Sequence, residues 1–109
     1  MSINIEQLVE DMVEAMHPII EAHWDNAVPY VKAEAEKLAT VAAQIEAGYA
    51  AGTMTKEEAD ILRDMQASAA RAFLTSVETI GAITAQNAIN AALNVMSEAV
   101  NKALGIALL

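Results

Sequence analysis

The residues best suited to chemistry lie on one side of the first predicted helix. Glu14 and His17 have the spacing of a Glu-x-x-His motif, and Glu10 and Glu21 share their helical face. In helix bundles this motif supplies ligands to di-iron centres. Here a second copy of the motif is missing, Pro18 directly follows the histidine, and the four side chains lie opposite the apolar side of the helix. We therefore expect a solvated acidic face and no cofactor, with a metal-binding carboxylate bundle as the alternative function.

His23 and Trp24 are a second candidate site because they place an imidazole beside an indole. One interpretation is a pH-sensitive or ligand-stacking site. The other is a packed corner, in which a backbone carbonyl satisfies the histidine and the indole anchors the chain. We expect the packed corner, since the sequence offers no partner for the imidazole.

Motifs for catalysis are missing from the sequence. The chain has no cysteine, which excludes a thiolate nucleophile or a thiolate metal site. It has no glycine-rich phosphate loop, nucleophile elbow or zinc-binding helix motif. Ser68, Ser76 and Ser97 have no histidine at a suggestive spacing. We therefore expect a protein that is not an enzyme.

The charge of the chain restricts its partners. The formal net charge is −9, with 15 acidic and 6 basic side chains. An acidic surface repels phosphate groups, so we expect neither nucleic acid nor anionic lipid as a partner. No stretch reaches the roughly 18 apolar residues of a membrane span, and the start of the chain lacks the basic and apolar regions of a signal peptide. These features predict a cytoplasmic protein.

Apolar periodicity predicts an all-α fold, a single domain over residues 1–109 built as an antiparallel helical hairpin with kinked arms. The arms span about residues 4–49 and 55–108, joined by a turn over about 50–54. Thr55 and Glu58 form a capping box at the start of the second arm. In the first arm, we expect a kink or a restart of the helix near Met16, caused by Pro18, and a further helix start with Asn26 as its N-cap.

The second arm changes its apolar face along its length. Apolar residues from Ile61 to Ile83 form one face, which we expect to pack on the first arm. On a continuous helix that face continues as asparagines, and a new apolar face appears about half a revolution away. Either the helix breaks near Gly81 to Gln86, or one long helix changes partner. We favour the continuous or gently kinked helix, because no proline or clear cap follows.

This change of face predicts self-association. A lone hairpin cannot cover both apolar faces, and an alanine-rich core buries little area per residue. We therefore expect a homo-oligomer, a dimer or higher, in which the chains form a helix bundle. Such an assembly would act as a structural or protein-interaction module, and it could also bind a further protein partner. We call the polar continuation of the first face the asparagine stripe: Asn87, Asn90, Asn94, Ser97 and Asn101. It fits three interpretations: a solvent face, an inter-subunit ladder, or the lining of a lumen in a membrane-active or polymer-forming protein. The predicted interface residues are Ile83, Asn87, Ile89, Asn90, Leu93, Asn94, Met96, Val100, Asn101 and Leu104.

Overall fold

Four α-helices make up the fold in a computed structural model that describes residues 3–77 and 80–109. The helices are α1 (Ile5–Ile20), α2 (Trp24–Ala50), α3 (Lys56–Ser76) and α4 (Ala82–Leu104), and a 3₁₀ turn (Glu21–His23) joins the first two. The described part of the chain contains no strand. The expected all-α class is therefore confirmed. Glu78, the one ionised residue between Ala72 and Ser97 in the sequence, lies outside the described residues.

The helices pack as a bundle with two central and two outer members. α2 and α4 contact each other, and each also contacts α1 and α3. Within the described ranges, α1 and α3 do not contact each other. The two outer helices therefore lie at opposite corners of the bundle, separated by the central pair.

The core between these helices is rich in small side chains. Alanines of α2, α3 and α4 are fully buried and let the helices approach closely. Larger side chains fill the remaining space, and the largest fully buried apolar ones are Met12, Met16, Ile20, Val31, Leu38, Ile45, Leu74, Ile89, Met96 and Val100. All four helices contribute to this set, so one core holds the whole chain together.

The break in the first arm lies later than expected. α1 continues through Pro18 to Ile20, where the Glu21 amide donates to the carbonyl of His17. α2 then begins at Trp24, so Asn26 lies in its first turn and is not its N-cap. The prediction of a kink near Met16 was wrong in position, because a proline close to the end of a helix disturbs only its final turn.

The turn between the arms confirms the local sequence signals. The Thr55 hydroxyl oxygen accepts from the Glu58 amide at 3.1 Å, and a Glu58 carboxylate oxygen accepts from the Thr55 amide at 2.9 Å. Gly52 has φ of +74°, a conformation in which a side chain would be strained. Gly48 remains helical, and Met54 packs where its side chain would be.

The second arm is two helices, which contradicts the favoured continuous helix. α3 ends at Ser76, Val77 has extended backbone angles, and α4 begins after Gly81. The hydroxyls of Thr75 and Ser76 donate to the carbonyls of Arg71 and Phe73. Such side-chain bonds compete with the helical ladder and favour its end. The break lets α4 turn its own apolar side toward the core.

Candidate interaction surface

The candidate metal ligands do not come together within the single chain. Glu10, Glu14, His17 and Glu21 are all exposed on α1 or just after it. Among the described residues, no three histidine, aspartate or glutamate side chains come together as a metal site would require. The outward direction of this face, opposite buried Met12 and Met16, is the physical reason.

Trp24 is paired with a different histidine from the one adjacent to it in the sequence. The His17 and Trp24 rings are stacked, with centroids 3.9 Å apart and an interplanar angle of 18°. The 3₁₀ turn brings the end of α1 and the start of α2 together, and this stack covers the corner. The expectation of a packed corner holds for the indole, but the imidazole on it comes from His17 and not His23.

The predicted interface on α4 divides into two groups. Ile89, Met96 and Val100 are completely buried against other helices of the same chain, so they are unavailable to a partner. Leu93 and Leu104 are half-buried beside them. Ile89, Met96 and Val100 are therefore core residues and not interface residues, because the helix break turns them toward the other helices of the same chain.

The remaining predicted interface residues are polar, apart from Ile83. Asn87, Asn90 and Asn94 are exposed. The Asn90 side-chain oxygen accepts from the Arg71 guanidinium at 3.2 Å. Asn101 is half-buried, and its side-chain oxygen accepts from the Leu109 amide at 2.8 Å. Two members of the asparagine stripe therefore make bonds within the chain. Ile83, at the start of α4, is 76 % exposed.

An exposed apolar patch lies on α3. Ile61 and Met65 are 59 % and 65 % exposed. They share one side of the helix, within about 100° of each other, with four small exposed residues. We call this set the α3 stripe: Ile61, Met65, Ser68, Ala69, Ala72 and Ser76.

The α3 stripe faces outward because the side chains on the opposite side of α3 are mostly smaller. That opposite side places Ala59, Ala67 and Ala70 in the core, together with Leu74. Small side chains let α3 sit close against both central helices. The expectation that Ile61, Met65 and their neighbours pack on the first arm was wrong. The alanines on the opposite side were the sequence signal for the observed orientation.

No charged residue lies on the α3 stripe between Ile61 and Ser76, and Glu58 lies on the same helix face one turn before Ile61. At the N-terminal end of α3, Lys56 on the side away from the stripe donates to Asp60 at 2.8 Å, and Arg63 bridges Asp60 and Asp64 at 3.8 and 3.1 Å. The hydrogen bond from Lys56, with the positive charge of Arg63, holds the pKa of Asp60 below its usual value despite some opposing desolvation. Asp64 lines the groove between α3 and α4 with Asn90 and other α4 residues. Along this flank, Arg71 is the next charged residue.

An aromatic pair marks the other flank of α3, toward α2. The Tyr30 and Phe73 ring centroids are 5.8 Å apart, and the Lys37 ammonium lies 5.5 Å from the Phe73 centroid. The two rings remain 43 % and 37 % exposed. Apolar surface therefore continues from the α3 stripe onto this edge.

Comparison with known proteins gives no family assignment: the chain matches no family model, no curated protein and no solved structure. Within the described residues, no helix combines the length and the apolar content needed to cross a bilayer.

Proposed function

We propose that this chain is a non-enzymatic helical module for protein–protein interaction, with the α3 stripe as its contact surface. The observation that carries the proposal is the exposure of Ile61 and Met65, 59 % and 65 %, on a helix face that has no charged residue from Ile61 to Ser76. Burial of apolar surface contributes about 25 cal/mol per Å², so covering these side chains favours association. We assign the module to the cytoplasm as part of the same proposal.

Two features of the α3 stripe support a contact role over an incidental exposure. Its large residues stand among small ones, and small side chains let a partner approach the helix closely. It also leaves an uncharged surface on a chain with a formal charge of −9. Depletion of charge at the centre of a patch, with charged residues at its rim, is the usual composition of an interface.

Site-specific photo-cross-linking in the organism that encodes the protein tests this proposal. A photoreactive phenylalanine analogue in place of Met65 should give one discrete adduct on irradiation. The control places the same analogue at Glu14, on α1 at the opposite corner of the bundle, and should give none. Absence of an adduct from position 65, in a variant with unchanged helical circular dichroism, would refute the contact surface whatever the partner.

A further inference from the structure

We propose that the occupant of the α3 stripe is a second copy of this chain, with the two α3 helices antiparallel across a twofold axis between Ser68 and Ala69. This inference rests on the proposed contact surface and adds the identity and register of the partner. Two observations carry it: the order of large and small residues along the stripe, and the charges on its α4 flank.

The order of residues makes the α3 stripe complementary to itself only in the antiparallel direction. Its large members, Ile61 and Met65, lie in the N-terminal half, and its C-terminal half contains only small residues. In the proposed register Ile61 lies opposite Ser76 of the partner copy, and Met65 lies opposite Ala72. Each large side chain then fills space over a small one. Parallel pairing would set large side chains against each other and leave a gap between the small ones.

The charges on the α4 flank agree with the same register. In a twofold antiparallel pair, the same flank of both helices lies on one side of the contact. Asp64 and Arg71 share the flank toward α4, where Asp64 lines the groove and Arg71 bonds Asn90. The register brings Asp64 of one copy within about two residues, or roughly 3 Å along the axis, of Arg71 of the other. Among the described residues, the buried Arg71 Nε has no hydrogen-bond partner in the single chain.

Parallel pairing is opposed by the acidic N-terminal part of α3. Glu58 lies on the same helix face as the stripe, one turn before Ile61, and would approach its own copy. Antiparallel pairing moves the two Glu58 carboxylates to opposite ends of the contact. It also places the two helix dipoles in the favourable opposed direction.

The size of the surface limits the pair to a weak dimer. α3 has 21 residues and is therefore about 30 Å long. Across the roughly 10 Å diameter of one helix, this gives a footprint of roughly 300 Å², against about 800 Å² per partner in a standard interface. We therefore expect a dimer whose population depends on protein concentration.

Single-cysteine cross-linking tests the second copy and its register, since the natural chain contains no cysteine. Oxidised Ser68→Cys should give a species of twice 11.6 kDa on a non-reducing gel. Ile61→Cys and Ser76→Cys should each give little alone but should cross-link when mixed, because their Cα atoms then come within disulfide range. The control, Glu14→Cys on α1, should stay monomeric.

Each other outcome contradicts a defined part of the inference. Efficient cross-linking of Ile61→Cys with itself would overturn the antiparallel register. Absence of cross-linking by both Ser68→Cys and the mixture would overturn the second copy. In that case, a photo-cross-linked adduct from position 65 whose mass corresponds to another protein would support the proposed contact surface with a different partner. Absence of any adduct would contradict both the contact surface and the second copy.

Discussion

At the scale of single residues, the clearest determinants act over three or four positions. The capping box at Thr55 and Glu58 and the positive φ of Gly52 fix where the turn ends and where α3 begins. The stack of His17 on Trp24 also acts locally, across one corner. These features shape the backbone and leave the choice of buried faces to the packing of the helices.

We expect Thr55→Ala to lower the free energy of unfolding by about 1 kcal/mol, because the Glu58 amide loses its acceptor at the helix start. Chemical denaturation measures this change. Thr40→Ala is the matched control: the Thr40 hydroxyl bonds the Glu36 carbonyl within α2, and alanine is the better helix former there. A larger loss for Thr40→Ala than for Thr55→Ala would contradict the assigned role of the cap.

The lowered pKa of Asp60 makes a second prediction at this scale. Because its folded-state pKa is lowered, the stability that Asp60 contributes is present above its unfolded-state pKa and is lost as the pH falls through the folded-state value. Lys56→Gln should raise the pKa of Asp60 and reduce this acid-dependent loss. Titration of the Asp60 side-chain carboxyl carbon by NMR measures the shift, and Lys32→Gln, on α2, should leave it unchanged.

At the scale of the helices, the two outer helices differ in which residues they bury and which they expose. α1 buries its large apolar residues, such as Met12 and Met16, and exposes its carboxylates. α3 buries alanines and leaves Ile61 and Met65 outside. The difference matters for function, because Ile61 and Met65 on α3 are more exposed than the exposed large apolar residues of α1, Ile5 and Ile19.

Two methionine truncations distinguish the core of α4 from the α3 stripe. Met96→Ala should destabilise the fold by about 2–5 kcal/mol, since its side chain is completely buried within the chain. Met65→Ala should change the unfolding free energy of the monomer by less than about 0.5 kcal/mol, since its side chain is mostly exposed. Denaturation at low protein concentration measures both, and equal losses would show that α3 is oriented differently.

At the scale of the whole molecule, the net charge opposes self-association. Two copies with a formal charge of −9 each repel one another, and salt screens that repulsion. Dimer formation should therefore strengthen as salt concentration rises, provided that the uncharged stripe forms the contact.

A pair of charge reversals tests the whole-molecule arrangement. Asp64→Lys and Glu10→Lys each make the chain less acidic by two charges. Glu10→Lys, on the outer face of α1, should tighten the dimer because it only reduces repulsion. Asp64→Lys should weaken it several-fold, because Arg71 of the other copy then faces a like charge. Sedimentation equilibrium measures both constants, and a change in the same direction would contradict the proposed register.

The amino-acid sequence by itself determined the helical class, the turn between the two arms and the capping box at Thr55. These depend on periodicity and on contacts between residues a few positions apart, so they are readable in one chain. Only the tertiary structure decided that the second arm divides after Ser76, that Ile89 and Met96 are core residues, and that Ile61 and Met65 lie outside. The rotation of each helix about its axis depends on how all four helices share one core. On α3 the alanine side is the buried one, because small side chains allow the closest packing of helices.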